Sequence, residues 1–151
     1  MSAARKKGIT FELVKDSYIG TLKKYIVFKG RARRQEFWIF FFVNLVLGLI
    51  PGIGQVVSLL TSIPSMAVGV RRLHDINRSG LWLLLGLVPL VGLIFMLVVV
   101  FFAVSRSGGL WLLSIPIFLF STLAVVILLV WAAKEGTPGK NKYGPNPKAR
   151  K

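Results

Sequence analysis

Residues 69–82, GVRRLHDINRSGLW, place Arg71, Arg72, His74, Asp75 and Arg78 between two long apolar runs, and His74 is the only histidine in the chain. A histidine beside an aspartate raises the question of general-base catalysis. Neighbouring helical positions do not face each other, however, so Asp75 cannot orient His74 as a triad carboxylate would. Helical spacing instead carries Asp75 toward Arg71 and His74 toward Arg78. No serine nucleophile motif accompanies the pair, and the chain has no cysteine. A zinc site would need Glu36 or Glu135 to join the lone histidine, a poor donor set. The residues therefore predict no catalytic site, no metal site and no cofactor.

The remaining polar chemistry falls next to apolar runs. Arg31, Arg34 and Glu36 precede the first run, and Lys134 and Glu135 follow the last. The candidate cluster is thus Arg31, Arg34, Glu36, Arg71, Arg72, His74, Asp75 and Arg78. Two chemistries suit it. Glu36 and Asp75 can pair with arginines and brace helix ends together. Alternatively, grouped arginines can grip a phosphate bidentately, from an anionic lipid headgroup or a phosphorylated small molecule.

The elements that must position these residues follow from charge segregation. The 151-residue chain is 54% hydrophobic yet carries a formal charge of +15. Phe37–Val70 contains no charged residue, and Leu81–Leu128 contains only Arg106. Uninterrupted apolar stretches of this length read as membrane spans and exclude an ordinary soluble domain. Ten Lys and Arg fill the first 35 residues, and no apolar segment there ends at a small-residue cleavage site, so the spans themselves should direct insertion.

Leu81–Val104 would rise about 36 Å as a helix, enough to cross with tilt. SRSGG (105–109) supplies a polar turn, and Leu110–Ala133 gives another crossing; Trp82, Trp111 and Trp131 lie near the ends of these runs. Phe37–Val70 is too long for one span and short for two, and PGIG (51–54) breaks it. The reading is an all-α membrane protein with four transmembrane helices, about 35–51, 54–70, 81–104 and 110–133. A re-entrant hairpin over 35–70 is the alternative. With four helices, nineteen of the twenty Lys and Arg fall on one side and Arg106 on the other. The positive-inside rule makes that side cytoplasmic, with both termini there. A three-helix arrangement would place Arg71, Arg72 and Arg78 opposite the N-terminus. The net charge then anchors the protein to an anionic leaflet, and no nucleic-acid partner is required.

Phe11, Val14, Tyr18, Leu22 and Tyr25 share one helical face, with Lys15, Asp16, Lys23 and Lys24 turned away. Residues 1–34 therefore read as a basic cytoplasmic segment with an amphipathic interfacial helix; Gly20 weakens it toward a partly ordered arm. Ser58, Ser62, Ser65 and Gly69 form a stripe of small residues suited to helix packing. The same region, with Asn44 and Thr61, could line a polar pathway, but no ionisable residue lies deep in a span. Pro64, Pro89 and Pro116 should kink their helices. On composition, residues 134–151 are a flexible basic tail rich in Gly and Pro.

Three motifs also carry a resemblance: FKGRARRQEFW (28–38), RRLHDINRSG (71–80) and GTPGKNKYGPNP (136–147). From about Tyr18 to Pro147 the chain resembles the bacterial inner-membrane family called domain of unknown function 805. Leu81, where a second aromatic often follows Ser-Gly, and Asn146, where Asp is usual, depart from the pattern. The resemblance implies a four-helix membrane bundle and a tail that docks, and it brings no activity. The expected function is a non-catalytic scaffold, interaction or regulatory protein of the inner membrane, its basic face binding anionic lipid or a partner. A second copy or another membrane protein is a further expected partner. The alternative is a small transporter or channel subunit.

Overall fold

The computed structural model describes residues 11–105 and 114–149, whose regular elements are all helical, with no strand among them. Five helices follow in order: α1 (Phe11–Leu22), α2 (Arg34–Gly48), α3 (Ile53–Asp75), α4 (Val88–Ser105) and α5 (Ser114–Ala133). A 3-10 segment, Gly80–Leu87, leads into α4. The expected turn at SRSGG beyond Ser105, together with Arg106 and Trp111, lies outside the described residues, as do residues 1–10.

Three helical stretches are long and apolar enough to cross a membrane: Ile53–Asp75, Gly80–Phe101 and Ile115–Ala133. The fourth expected span is shorter than the sequence suggested. α2 has 15 residues and stops at Gly48, a rise of about 22 Å against a hydrocarbon core of about 30 Å. The turn that follows, with Gly52 at φ +80°, reverses the chain into α3. α2 packs mainly on α3 and α4 on α5, and the 3-10 segment touches both α3 and α5.

The second expected helix is longer than its apolar run. α3 continues through Arg71 and Arg72 to Asp75, leaving only residues 76–79 as the loop. Charge ends a hydropathic window but not a helix, provided the charged groups find partners, as they do here. Ser79 then caps the 3-10 segment, its Oγ accepting from the Leu81 amide at 3.3 Å. The change from 3-10 to α geometry falls at Val88, immediately before Pro89. Proline lacks an amide hydrogen and fits the first turn of a helix, so Pro89 starts α4 where a mid-span kink had been expected. Pro116 likewise sits in the first turn of α5, and only Pro64 lies well inside a helix.

α1 lies against α2 and α3. Its inner side brings Tyr18 and Leu22 onto Phe37, Phe40, Ala32 and Val68. Tyr18 stacks on Phe40 with ring centroids 5.0 Å apart, and its hydroxyl donates to Asn44 Oδ1 at 3.3 Å. Phe11 and Tyr25, expected on the same apolar face, are exposed.

The expected packing stripe on α3 is displaced. Gly69 is buried against Leu83, but Ser58, Ser62 and Ser65 are exposed. The buried face runs instead through Gly54, Thr61, Pro64, Ala67 and Val68. The Ser62 and Ser65 hydroxyls donate back to the Leu59 and Thr61 carbonyls of their own helix, at 2.7 and 2.6 Å. That local bond removes the need for a partner across a helix contact.

Candidate functional site

The start of α2, the end of α3 and the end of α5 meet at one end of the molecule, because α2 and α3 form a hairpin and α5 returns beside them. Asp75 is the hub. Its carboxylate accepts from Arg31 Nε at 2.9 Å through Oδ1 and from Arg72 Nη1 through Oδ2. Both guanidinium side chains are 1% exposed, and that of Asp75 is 6% exposed. Charges this deeply placed must be compensated inside the protein.

One carboxylate cannot satisfy two guanidinium groups, and main-chain carbonyls complete the set. Arg31 donates to the carbonyls of Thr137 at 2.6 Å and Gly139 at 2.7 Å. Arg72 donates to the carbonyls of Ala132, at 2.9 Å, and Lys134. α5 ends at Ala133, so these acceptors lie at the terminus, where carbonyls lack helical partners. Arg72 thus caps α5 from another helix.

The tail folds over this end instead of remaining free, as the motif resemblance implied and composition did not. The Asp75 carbonyl accepts from the Thr137 amide at 2.8 Å and its hydroxyl at 3.1 Å. Asn141 Nδ2 donates to the His74 carbonyl at 2.9 Å, while Asn141 Oδ1 accepts from the Tyr143 amide at 2.9 Å. That Asx turn presents the Tyr143 ring, which stacks on His74 at 3.8 Å with 7° between planes. His74 Nδ1 lies 3.2 Å from the Gly30 carbonyl. Two glycine roles are visible. Gly136 passes so close to Asp75 that a Cβ there would overlap the carboxylate, 2.7 Å from Oδ1. Gly139 has φ +67°, left-handed backbone that turns its carbonyl to Arg31.

Several expected pairings are redistributed. Asp75 pairs with Arg72 and Arg31, not with Arg71 four residues earlier. Arg71 Nη1 instead meets Glu36 Oε1 at 2.6 Å. Arg34 meets Glu135 Oε1 at 2.6 Å in an exposed position. Arg78 does not reach His74; its guanidinium lies 4.0 Å from the Trp131 ring centroid and 5.9 Å from that of Trp82. The cluster is therefore one buried and one partly buried ion-pair centre, one surface pair and one cation–aromatic contact. Sequence reasoning missed Arg33, which donates to the Pro147 carbonyl at 2.9 Å, and Thr137, Asn141 and Tyr143. The third motif contained the last three, but composition gave them no role.

Known proteins resemble the chain in sequence across these elements. The family described as "Protein of unknown function (DUF805)" matches residues 49–110, a region that includes α3 and the 71–80 motif. Inner membrane protein YhaI of Escherichia coli is 34% identical over 143 residues, covering 87% of this chain and 94% of that protein. Inner membrane protein YhaH of the same organism is 32% identical over 149 residues, covering 88% and 97%. The chain belongs to the DUF805 family. Another relative, Uncharacterized protein YiiR of E. coli, is 35% identical over 129 residues, covering 78% of this chain and 83% of that one. No solved structure matches the chain. This DUF805 member is a membrane protein, and the family description assigns no activity.

Proposed function

We propose that the chain is a multi-pass inner-membrane protein whose basic cytoplasmic face is a non-catalytic binding platform for anionic lipid or a protein partner. The observation that carries this reading is the burial of Arg31, Arg72 and Asp75 at the junction of the helix ends and the tail. The pairing makes one folded surface from residues distant in sequence and leaves His74 and Asp75 in structural contacts. α2 and α3 together form a hairpin that crosses and returns, the short α2 being accommodated by the residue 49–52 turn and local bilayer thinning. Nineteen of twenty Lys and Arg then share the cytoplasmic side with both termini. α1 lies at that interface, where lysines face the headgroups.

Two experiments test the proposal. Single-cysteine variants at Ser79 and Ser107 should label oppositely with an impermeant maleimide in intact cells, Ser107 from outside; labelling of Ser79 from outside overturns the topology. Native mass spectrometry of the protein extracted with its lipids should show anionic species retained over zwitterionic ones. Specific solute flux through proteoliposomes would instead establish the transporter alternative.

A further inference from the structure

We propose that the cleft between residues 24–36 and the docked tail is a discrete phosphate-binding site anchored by Arg71; the inference deepens the reading of the basic face and rests on it. The cleft has a volume of about 360 Å³, and its lining includes Lys24, Lys29, Arg33, Glu36, Arg71 and Asn146. Arg71 is the decisive residue. It is 2% exposed, its Nη1 donates to Glu36 and its Nε to the Ala67 carbonyl at 3.3 Å, yet Nη2 has no hydrogen-bond partner. Buried donors are almost always satisfied, and a guanidinium is the donor best matched to the paired oxygens of a phosphate.

The surroundings select an anion. Lys24, Lys29 and Arg71 share this lining with one carboxylate, Glu36. Lys24 Nζ lies 3.9 Å from Glu36, whereas Lys29 is exposed and forms no ion pair among the described residues. Arg33 donates to the Pro147 carbonyl at 2.9 Å and so ties this wall of the cleft to the tail. Arg31 also borders the cleft, but its guanidinium is committed to Asp75 and the tail carbonyls. A phosphate ester fits this balance: it would draw on Lys29, and a small shift of the cleft wall would let one of its oxygens reach the buried Arg71 Nη2. Glu36 sets the charge of the cleft and weakens binding of a dianion. The ester could come from a lipid headgroup or from a soluble phosphate. The lipid source has a path, because Lys24, Arg33 and Glu36 also line an adjoining cleft that continues to Leu13 and Ile39.

The test uses the full-length protein purified in detergent and in nanodiscs, as wild type and as the variants R71K, K29A and E36Q. The probes are inorganic phosphate, glycerol 3-phosphate, and nanodiscs containing phosphatidate against phosphatidylcholine alone. Native mass spectrometry reads occupancy. One saturable adduct is expected, weakened about tenfold in R71K through loss of the guanidinium fork. It should also weaken in K29A, an exposed change that leaves the fold intact, and tighten in E36Q. Binding of the soluble esters identifies a free phosphate as the source; binding of phosphatidate alone identifies a headgroup. Either result supports the site if the variants shift it in these directions. Adducts unaffected by all three variants overturn the site while leaving general retention of anionic lipid intact. Absence of anionic retention in wild type overturns the broader reading as well.

Discussion

Replacing Gly136 with alanine should release the tail without unfolding the helices. A Cβ at position 136 would lie 2.5 Å from Asp75 Cγ and 2.7 Å from Oδ1, so either the carboxylate or the tail must move. Moving the carboxylate strips compensation from Arg31 and Arg72, both buried, and breaking such a pair costs about 3–5 kcal/mol. Moving the tail breaks the bonds from Arg31 to Thr137 and Gly139, from Thr137 to Asp75, and from Asn141 to His74. Each of these contributes about 1 kcal/mol net, and those from a guanidinium about 2. Water replaces the lost partners, however, and the freed residues regain backbone entropy that offsets much of the loss. Displacing the tail is therefore the easier route. Amide hydrogen exchange by mass spectrometry should show residues 137–147 losing protection in G136A while α3 and α5 keep theirs. A tail as protected as in wild type would refute the reasoning, and exchange spreading through α3 would show that the carboxylate had moved instead.

Other perturbations separate the remaining contacts. Asp75→Asn keeps the shape but leaves two buried guanidinium groups without a counter-ion, and should lower stability by about 3 kcal/mol in a denaturation series in detergent. Arg78→Ala should cost about 1 kcal/mol and change the tryptophan emission, because Trp131 and Trp82 lose the cation between them. Tyr143→Ala removes the stack on His74, which should cost about 1 kcal/mol and raise exchange in the tail without altering helix protection.

Much of the architecture was legible because hydropathy reports the solvent around a helix. The runs ending in Ala133 and beginning at Leu81 have apolar surroundings on nearly every side, so their composition alone marks them. The same signal failed at Arg71–Asp75, where charge suggested a loop. Those side chains are satisfied by Glu36, Arg31 and backbone carbonyls, partners distant in sequence, and the helix runs on. Spacing also misassigned Asp75 to Arg71, because Arg71 and Arg72, four and three residues before it, both lie within helical reach and only the packing of α2 and α5 distinguishes them. Ser58, Ser62 and Ser65 lie on a stripe adjacent to the buried one. A periodicity fixes which residues share a face, but not which face meets a neighbour. The tail was legible only through its motif: Gly136, Gly139 and Asn141 resemble flexible-linker residues until Asp75, Arg31 and His74 are set against them.

The clasp around Asp75 also has a consequence for biosynthesis. Arg31 and Arg72 take their carbonyl acceptors from Ala132, Lys134, Thr137 and Gly139, at least 60 residues later in the chain. The helices before α5 therefore emerge with a junction that cannot close until α5 is inserted and residues 134–139 have been synthesised. A chain interrupted after Ala133 would display arginines ready for burial without the tail carbonyls that complete Arg31, a defect that membrane quality-control proteases can sense. Pulse-chase comparison should find a chain ending at Ala133 degraded faster than the full chain, although α1 to α5 are all present. Residues 134–139 would then act as a check on the packing of the helices that precede them.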